Sequence, residues 1–166
     1  MKVIFLDIDG VLMTENHLGE LNALGKPMSI NGSHIFDPAC VENLVRIINA
    51  TDAKVVLSSA WRFMGRDVFM KLWKDRNMPG EVIDFTPKNR TGRRGAEIWE
   101  WLNNAPLNGM KVESFVIIDD EVSDMLVEQT DRIIHTTFKF GLCGEDVTPA
   151  IEILNTPIKN MFEDEA

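Results

Sequence analysis

The chain alternates between short apolar runs and longer stretches in which apolar residues recur every three or four positions. Five short runs have the length and the β-branched or aromatic content of strands: residues 3–6, 54–57, 82–85, 115–118 and 132–135. The runs at 3–6 and 115–118 are unbroken, which is typical of strands covered on both faces in a parallel sheet. We therefore predict five strands, with 82–85 towards one edge.

The stretches between these runs carry helical signals. Asp37 is a suitable N-cap and Pro38 suits the first turn of a helix that stops near residue 51. Its predicted buried face has four members: Val41, Leu44, Val45 and Ile48. Further helices are predicted before the turn at 77–80, over 95–103, in a short segment with Val122, Met125 and Leu126 inward, and from Thr148 onwards.

The alternation of strand and helix predicts the fold class. It indicates an α/β protein, a Rossmann-like three-layer sandwich with a central parallel sheet of about five strands. We expect a single domain over residues 1–166 without a separate cap domain. Residues 13–36 interrupt the alternation, because they are rich in Gly, Asn and Ser and show no clear period. Such insertions are usually active-site flaps or disordered segments, and we expect a flap, for which a small β-hairpin would be one suitable form.

Composition and charge narrow the class of protein. The 166 residues are 45% hydrophobic and 26% charged, and the net charge is −9. That charge excludes indiscriminate binding to a nucleic-acid backbone but leaves room for a local basic patch. Cys40 and Cys143 match no zinc spacing, and we expect a cytoplasmic protein with reduced thiols and no membrane span. Residues 162–166 are predicted to be an acidic frayed tail.

Two carboxylates follow the first strand. Asp7 and Asp9 are spaced i, i+2, which places them on the same side of an extended chain, and Gly10 comes next. This sequence also occurs in ordinary turns, but here it follows a buried strand and has matching groups downstream. Two close anions repel each other unless a cation lies between them, and a hard divalent ion such as Mg²⁺ is the expected partner.

Other predicted strands end in groups of related chemistry. Ser58 follows the second strand, and Asp119 and Asp120 follow the fourth. Right-handed crossovers bring the carboxyl ends of parallel strands to one edge, so these residues should meet Asp7 and Asp9 there. Acid pairs supply oxygen ligands to Mg²⁺, and a hydroxyl with the following backbone N–H groups binds phosphate oxygens.

A basic cluster precedes the fourth strand and consists of Lys88, Arg90, Arg93 and Arg94. A fixed cation would offset the charge that develops in phosphoryl transfer. Each of the groups at the predicted sheet edge could also have a purely structural role. Ser58 and Ser59 can cap a helix, Arg93 and Arg94 can be solvated, and the acids at 119–121 can form the first turn of a helix.

The chain thus has four motifs in order: the Asp-x-Asp-Gly at 7–10, the serine at 58, a basic residue before the fourth strand, and the acidic pair at 119–120. In this order they resemble the four motifs of the haloacid dehalogenase-like (HAD) hydrolase superfamily, which is mostly phosphatases. The resemblance covers most of the chain, from Lys2 to about Leu154. More narrowly, residues 57–62, 94–98 with Trp101 and Leu102, and 136–142 are similar to the capless branch found within multi-enzyme, or Swiss army knife, RNA-repair proteins.

The resemblance implies a role for each matching residue. Asp7 would be the nucleophile and would form an aspartyl-phosphate. Asp9 would protonate the leaving oxygen and then deprotonate the attacking water. The backbone carbonyl of Asp9, with Asp7 and Asp119 or Asp120, would bind Mg²⁺. Ser58 would bind the phosphoryl group.

The third motif departs from the family pattern, which usually has Lys. Arg94 fits that position best, with Arg93 and Lys88 as rivals, and an Arg can serve through bidentate contact with phosphate. All three are candidates for contact with substrate.

Further candidates surround these positions. Gly10, Ser59 and Arg62 are expected to contact substrate, and Asp124 could orient the acidic pair. Trp61 is expected in the core.

The expected function is that of a Mg²⁺-dependent phosphomonoesterase. An open site suits a bulky substrate such as a nucleic-acid end or a nucleotide, and the acidity of the chain limits the expected contact to one terminal nucleotide. One alternative is a phosphatase of small metabolites. Another, from a different class, is a non-hydrolytic phosphoacceptor domain, which would have no use for an acid–base group at Asp9. No membrane partner is expected, and the oligomeric state is not predicted.

Overall fold

The computed structural model describes residues 1–159. Its strands are β1 (Lys2–Leu6), β2 (Ser29–Ile30), β3 (Ser33–His34), β4 (Lys54–Leu57), β5 (Val82–Phe85), β6 (Ser114–Asp119) and β7 (Ile133–His135). Its α-helices are α1 (Glu15–Ala23), α2 (Pro38–Thr51), α3 (Arg66–Asp75), α4 (Arg94–Asn104) and α5 (Gly144–Leu154). Short 3₁₀ helices span Ala60–Met64, Pro106–Asn108 and Val127–Arg132. The predicted tail at 162–166 lies outside the described residues.

The central sheet has five parallel strands in the order β5-β4-β1-β6-β7, with β5 at an edge as predicted. In the middle strand, Leu6 pairs with Leu57 of β4 and with Ile118 of β6. Three neighbouring strands therefore end at the same level. The residues that follow them lie side by side at one edge of the sheet.

Helices cover both faces of this sheet. Along β1, Ile4 and Leu6 pack into a core with α2, α3 and α5, whereas Val3 and Phe5 pack into a second core with α4. This division follows from the alternation of side chains along a strand. The predicted α/β three-layer sandwich is confirmed.

The insertion after β1 contains helix α1 and an antiparallel ribbon of β2 and β3. Helix α1 was not predicted from the sequence. None of its residues is buried, so the helix has no apolar face from which a period could be read. Its N-cap is Thr14, whose hydroxyl accepts a hydrogen bond from the His17 backbone N–H and donates one to Asp37.

Three local predictions need correction. The buried face of α2 is formed by Cys40, Leu44, Ile47, Ile48 and Thr51, while Val41 and Val45 are half-buried. No helix forms at 122–126; instead the side chain of Gln129 accepts from the Leu126 N–H and donates to the Gly95 carbonyl, and the 3₁₀ helix follows. Helix α5 begins before Thr148, because Asp146 accepts a hydrogen bond from the Cys143 N–H and closes its first turn.

Both cysteines are free thiols. Among the helices of residues 1–159, none has the length and apolar character needed to cross a membrane.

Candidate active site

Three carboxylates meet at the edge where β1 and β6 end. Asp7 follows β1, Asp119 is the last residue of β6, and Asp120 comes next. One oxygen from each carboxylate lies within 4.8 Å of the others, and Asp7 and Asp119 are only 6% and 2% exposed. Carboxylate oxygens grouped in this way are the donors that Mg²⁺ prefers.

Burial and the nearby charge of Asp7 disfavour the charged forms of Asp119 and Asp120. Burial, and then the charge of Asp7, raise the pKa of Asp119 to about 8. The same two causes raise the pKa of Asp120. A bound divalent cation would act in the opposite direction, because it stabilises ionised carboxylates. The donor set therefore fits a metal ion.

The guanidinium of Arg94 lies against this cluster. Its Nη1 is 3.0 Å from Asp119 Oδ2 and 3.4 Å from Asp7 Oδ1, and it also donates to the Ser58 carbonyl. Burial disfavours the charged guanidinium, but the charges of Asp119 and Asp7 outweigh it and raise the pKa of Arg94. The backbone N–H of Arg94 donates to Asp124 Oδ2 at 2.8 Å, which secures the first turn of α4. Asp124 thus positions the basic residue.

Ser58 brings a hydroxyl to the same edge. Its backbone N–H donates to the Leu6 carbonyl, which ties the end of β4 to β1. Its Oγ is buried, and within residues 1–159 it has no hydrogen-bond partner. A buried hydroxyl without a partner is unfavourable, so this atom suits a ligand oxygen.

The Asp9 carboxylate lies near the three-carboxylate cluster but is not part of it. Its Oδ1 accepts a hydrogen bond of 2.9 Å from the indole Nε1 of Trp61. Burial raises the pKa of Asp9, and the nearby charge of Asp7 adds to the rise, while the Trp61 contact partly opposes it. A carboxyl group with a raised pKa can carry a proton and release it to a reacting oxygen.

The model of the family described as "HAD domain in Swiss Army Knife RNA repair proteins" matches residues 3–147. The chain belongs to this family. The matched range contains every residue of the carboxylate cluster together with Ser58 and Arg94, and membership supports a HAD-type phosphatase in general. No curated protein and no solved structure gave a significant match.

Gly10 of this HAD domain lies against the carboxylate cluster. Its φ is +74°, and a Cβ at this position would overlap the Asp120 carboxyl group. The Thr136 hydroxyl donates to the Gly10 carbonyl at 2.6 Å. Gly10 thus allows the loop after β1 to approach Asp120. Its expected contact with substrate stays a prediction.

The turn after β4 engages Ser59 and Arg62 internally. The Ser59 hydroxyl accepts from the Trp61 N–H at 3.2 Å. Arg62 donates to Ser59, Thr86 and Pro87 and forms an ion pair of 2.9 Å with Glu97. Both side chains of that pair are buried, so Arg62 ties neighbouring loops together, and it also lines a pocket with Lys88 and Arg94. Its expected contact with substrate stays a prediction.

The remaining basic candidates, Lys88 and Arg93, are exposed. Lys88 lines a pocket that it shares with Arg94, whereas Arg93 is the N-cap of α4. The start of α4 directs Arg94 towards the acids and leaves the adjacent Arg93 exposed. This geometry distinguishes Arg94 from its rivals.

Two residues near the site were not assigned a functional role from the sequence. Trp61 is 6% exposed, as expected of a core residue, yet it contacts Asp9. Glu97 resembles an ordinary first-turn acid of a helix, and its pairing with Arg62 has no sequence signal because 35 residues separate them.

Proposed function

We propose that this HAD domain is a Mg²⁺-dependent phosphomonoesterase that acts through an aspartyl-phosphate on Asp7. The observation that carries the proposal is the meeting of three kinds of group at one sheet edge. They are the three-carboxylate cluster, the guanidinium of Arg94 and the Ser58 hydroxyl without a partner. Together they fit a divalent cation and a phosphoryl group.

In the proposed reaction, Ser58 and Arg94 bind the phosphoryl oxygens. The Asp7 carboxylate attacks phosphorus while the bond from phosphorus to the leaving oxygen breaks. Asp9 gives its proton to that oxygen and then removes a proton from the water that hydrolyses the aspartyl-phosphate. When bound by Asp7, Asp119, Asp120 and the backbone carbonyl of Asp9, Mg²⁺ supplies positive charge that offsets the negative charge of the acids and the phosphoryl group.

The proposed substrate is a phosphate at a nucleic-acid end or on a nucleotide. A pocket of about 500 Å³ shares Arg94 with the site and is also lined by Lys88 and Phe63. The Phe63 side chain is 72% exposed and could stack on a base, while Lys88 could contact a neighbouring phosphate. The description of the family as a domain of RNA-repair proteins supports the same substrate class.

The direct test is phosphate release by the purified protein, with Mg²⁺ and with EDTA. The substrates are oligonucleotides with a 3′-phosphate or a 5′-phosphate, mononucleotides and sugar phosphates. We expect Mg²⁺-dependent release that is fastest from an oligonucleotide end or a nucleotide. Preference for sugar phosphates would favour the small-metabolite alternative.

A matched pair of variants tests the nucleophile. Asp7→Asn should abolish release, because an amide neither attacks phosphorus nor bonds a cation as a carboxylate does. Asp75→Asn makes the same chemical change at an exposed residue of α3 and should leave the rate unchanged. Unchanged turnover in Asp7→Asn would overturn the proposal.

A further inference from the structure

We propose that Trp61 is the positioning residue for the acid–base group of this site. Its indole Nε1–H donates to Asp9 Oδ1 at 2.9 Å, across 52 residues of sequence. The inference rests on the proposed function, in which Asp9 moves a proton to and from the reacting oxygens. In this proposal Trp61 acts through Asp9 and takes no direct part in binding the cation or the phosphoryl group.

One hydrogen bond of the Trp61 backbone and one ring contact hold the indole in place. The Ser59 hydroxyl accepts from the Trp61 backbone N–H at 3.2 Å, which secures the 3₁₀ turn that carries the ring. The ring of Phe36 packs against the indole with a centroid distance of 5.5 Å. The guanidinium of Arg76 in turn lies 4.4 Å from the centroid of the Phe36 ring. An indole packed in this way offers its N–H in one direction.

The direction of that N–H decides which oxygen of Asp9 can carry the proton. Oδ1 accepts from the indole, so in the carboxylic acid the proton resides on Oδ2. Oδ2 can then give the proton to the leaving oxygen, which keeps the electron pair of the broken bond to phosphorus. The resulting carboxylate keeps its hydrogen bond to Trp61 and can accept a proton from water at the same Oδ2.

The same contact keeps Asp9 apart from its acidic neighbours. The carboxylates of Asp7, Asp119 and Asp120 converge, and Asp9 does not join them. Without the indole donor, the Asp9 side chain could rotate about its χ angles and lose its alignment with the leaving group. Misalignment of a catalytic group lowers the rate without removing the group itself.

Leaving-group dependence separates positioning from simple structural support. p-Nitrophenolate leaves with little need of a proton, whereas an alkoxide needs one from the general acid. The assay compares kcat/KM for p-nitrophenyl phosphate with kcat/KM for the oligonucleotide or glycerol phosphate that the wild-type protein hydrolyses faster, both with Mg²⁺. Trp61→Phe keeps an aromatic ring and removes the N–H donor.

We expect Trp61→Phe to lose about tenfold or more on the alkyl phosphate relative to p-nitrophenyl phosphate, since general acid–base catalysis contributes roughly 10²–10⁴-fold. Trp101→Phe is the matched control. Its indole also donates to a carboxylate, Asp84 Oδ2 at 2.7 Å, but it lies in the second core with α4. Trp101→Phe should leave the ratio of the two substrates unchanged.

Equal losses on both substrates in a folded Trp61→Phe variant would overturn the inference. If that variant does not fold, benzothienylalanine at position 61 replaces the N–H by sulfur in a ring of the same shape, and the same two outcomes apply. Absence of phosphate release from the wild-type protein on both substrates would instead overturn the proposed function, and the inference with it.

Discussion

The guanidinium of Arg94 lies 3.0 Å from the carboxylate of Asp119, although 25 residues separate them in the chain. This contact joins the first turn of α4 to the end of β6. It places a permanent positive charge beside the acids that would otherwise repel one another, and it leaves the exposed Arg93 without that role.

The first prediction concerns this cation. Arg94→Ala should lower kcat/KM for phosphate release by about 10²–10³-fold, the usual effect of removing one preorganised donor from a charged transition state. Arg93→Ala removes the neighbouring arginine and should cost little. Steady-state kinetics of the two variants checks the assignment, and a greater loss in Arg93→Ala would transfer the role to Arg93.

The second prediction concerns pH and metal. The pKa of Asp119 is about 8 in the folded protein, above its ordinary value of 3.8, so the folded state holds a proton that the unfolded state releases. The free energy of unfolding of the metal-free protein should therefore fall as the pH rises from about 4 to about 8. Mg²⁺ should reverse the trend, because the cation binds the ionised carboxylates. Thermal unfolding with EDTA and with Mg²⁺ across this range measures both effects.

Asp119→Asn provides the control for that experiment. It removes the titrating group and one metal ligand, so both the fall with pH and the gain from Mg²⁺ should become smaller. Equal stabilisation of wild type and Asp119→Asn by Mg²⁺ would place the metal elsewhere.

The third prediction separates hydrolysis from a phosphoacceptor function. Asp9→Asn should lower turnover by roughly 10²–10⁴-fold, the usual contribution of general acid–base catalysis. Its Mg²⁺ binding, followed by calorimetry, should largely survive, since the Asp9 side chain lies outside the carboxylate cluster. The phosphoacceptor alternative would be favoured if the wild-type protein became phosphorylated but never released phosphate, and if Asp9→Asn became phosphorylated to the same extent.

The fourth prediction concerns stability at the buried pair of Arg62 and Glu97, whose side chains are 9% and 5% exposed. Glu97→Gln leaves a buried guanidinium without its counter-charge and should cost about 3–5 kcal/mol, the usual cost of breaking such a pair. The exposed pair of Lys71 and Asp75 is the comparison, and Asp75→Asn should cost less than about 1 kcal/mol. Urea denaturation of both variants gives the two values, and equal values would contradict the prediction.

The fifth prediction concerns the substrate pocket. Phe63→Ala should reduce kcat/KM for an oligonucleotide end by about 5- to 150-fold, the equivalent of the roughly 1–3 kcal/mol usually lost with one base–aromatic stack. The rate with glycerol phosphate should not change. Leu107→Ala truncates another exposed apolar side chain, outside the pocket lining, and serves as the control. A uniform loss on both substrates would remove Phe63 from substrate recognition.

Local residue patterns were enough to predict the central sheet and the edge at which the candidate site residues gather. Each strand is a short apolar run, and parallel crossovers bring the carboxyl ends of such runs together, so Asp7, Ser58 and Asp119 could be placed side by side without coordinates. The surface helix α1 could not be found in this way, because none of its side chains is buried and a periodic pattern reports only burial.

The pairs of side chains that meet across loops could be identified only from the folded chain. The rotation of α4 selects Arg94 over Arg93, Glu97 draws Arg62 into a buried pair, and Trp61 reaches Asp9. These contacts link residues 25 to 52 positions apart. They depend on how loops and helix ends pack in space, which local patterns of residues do not encode.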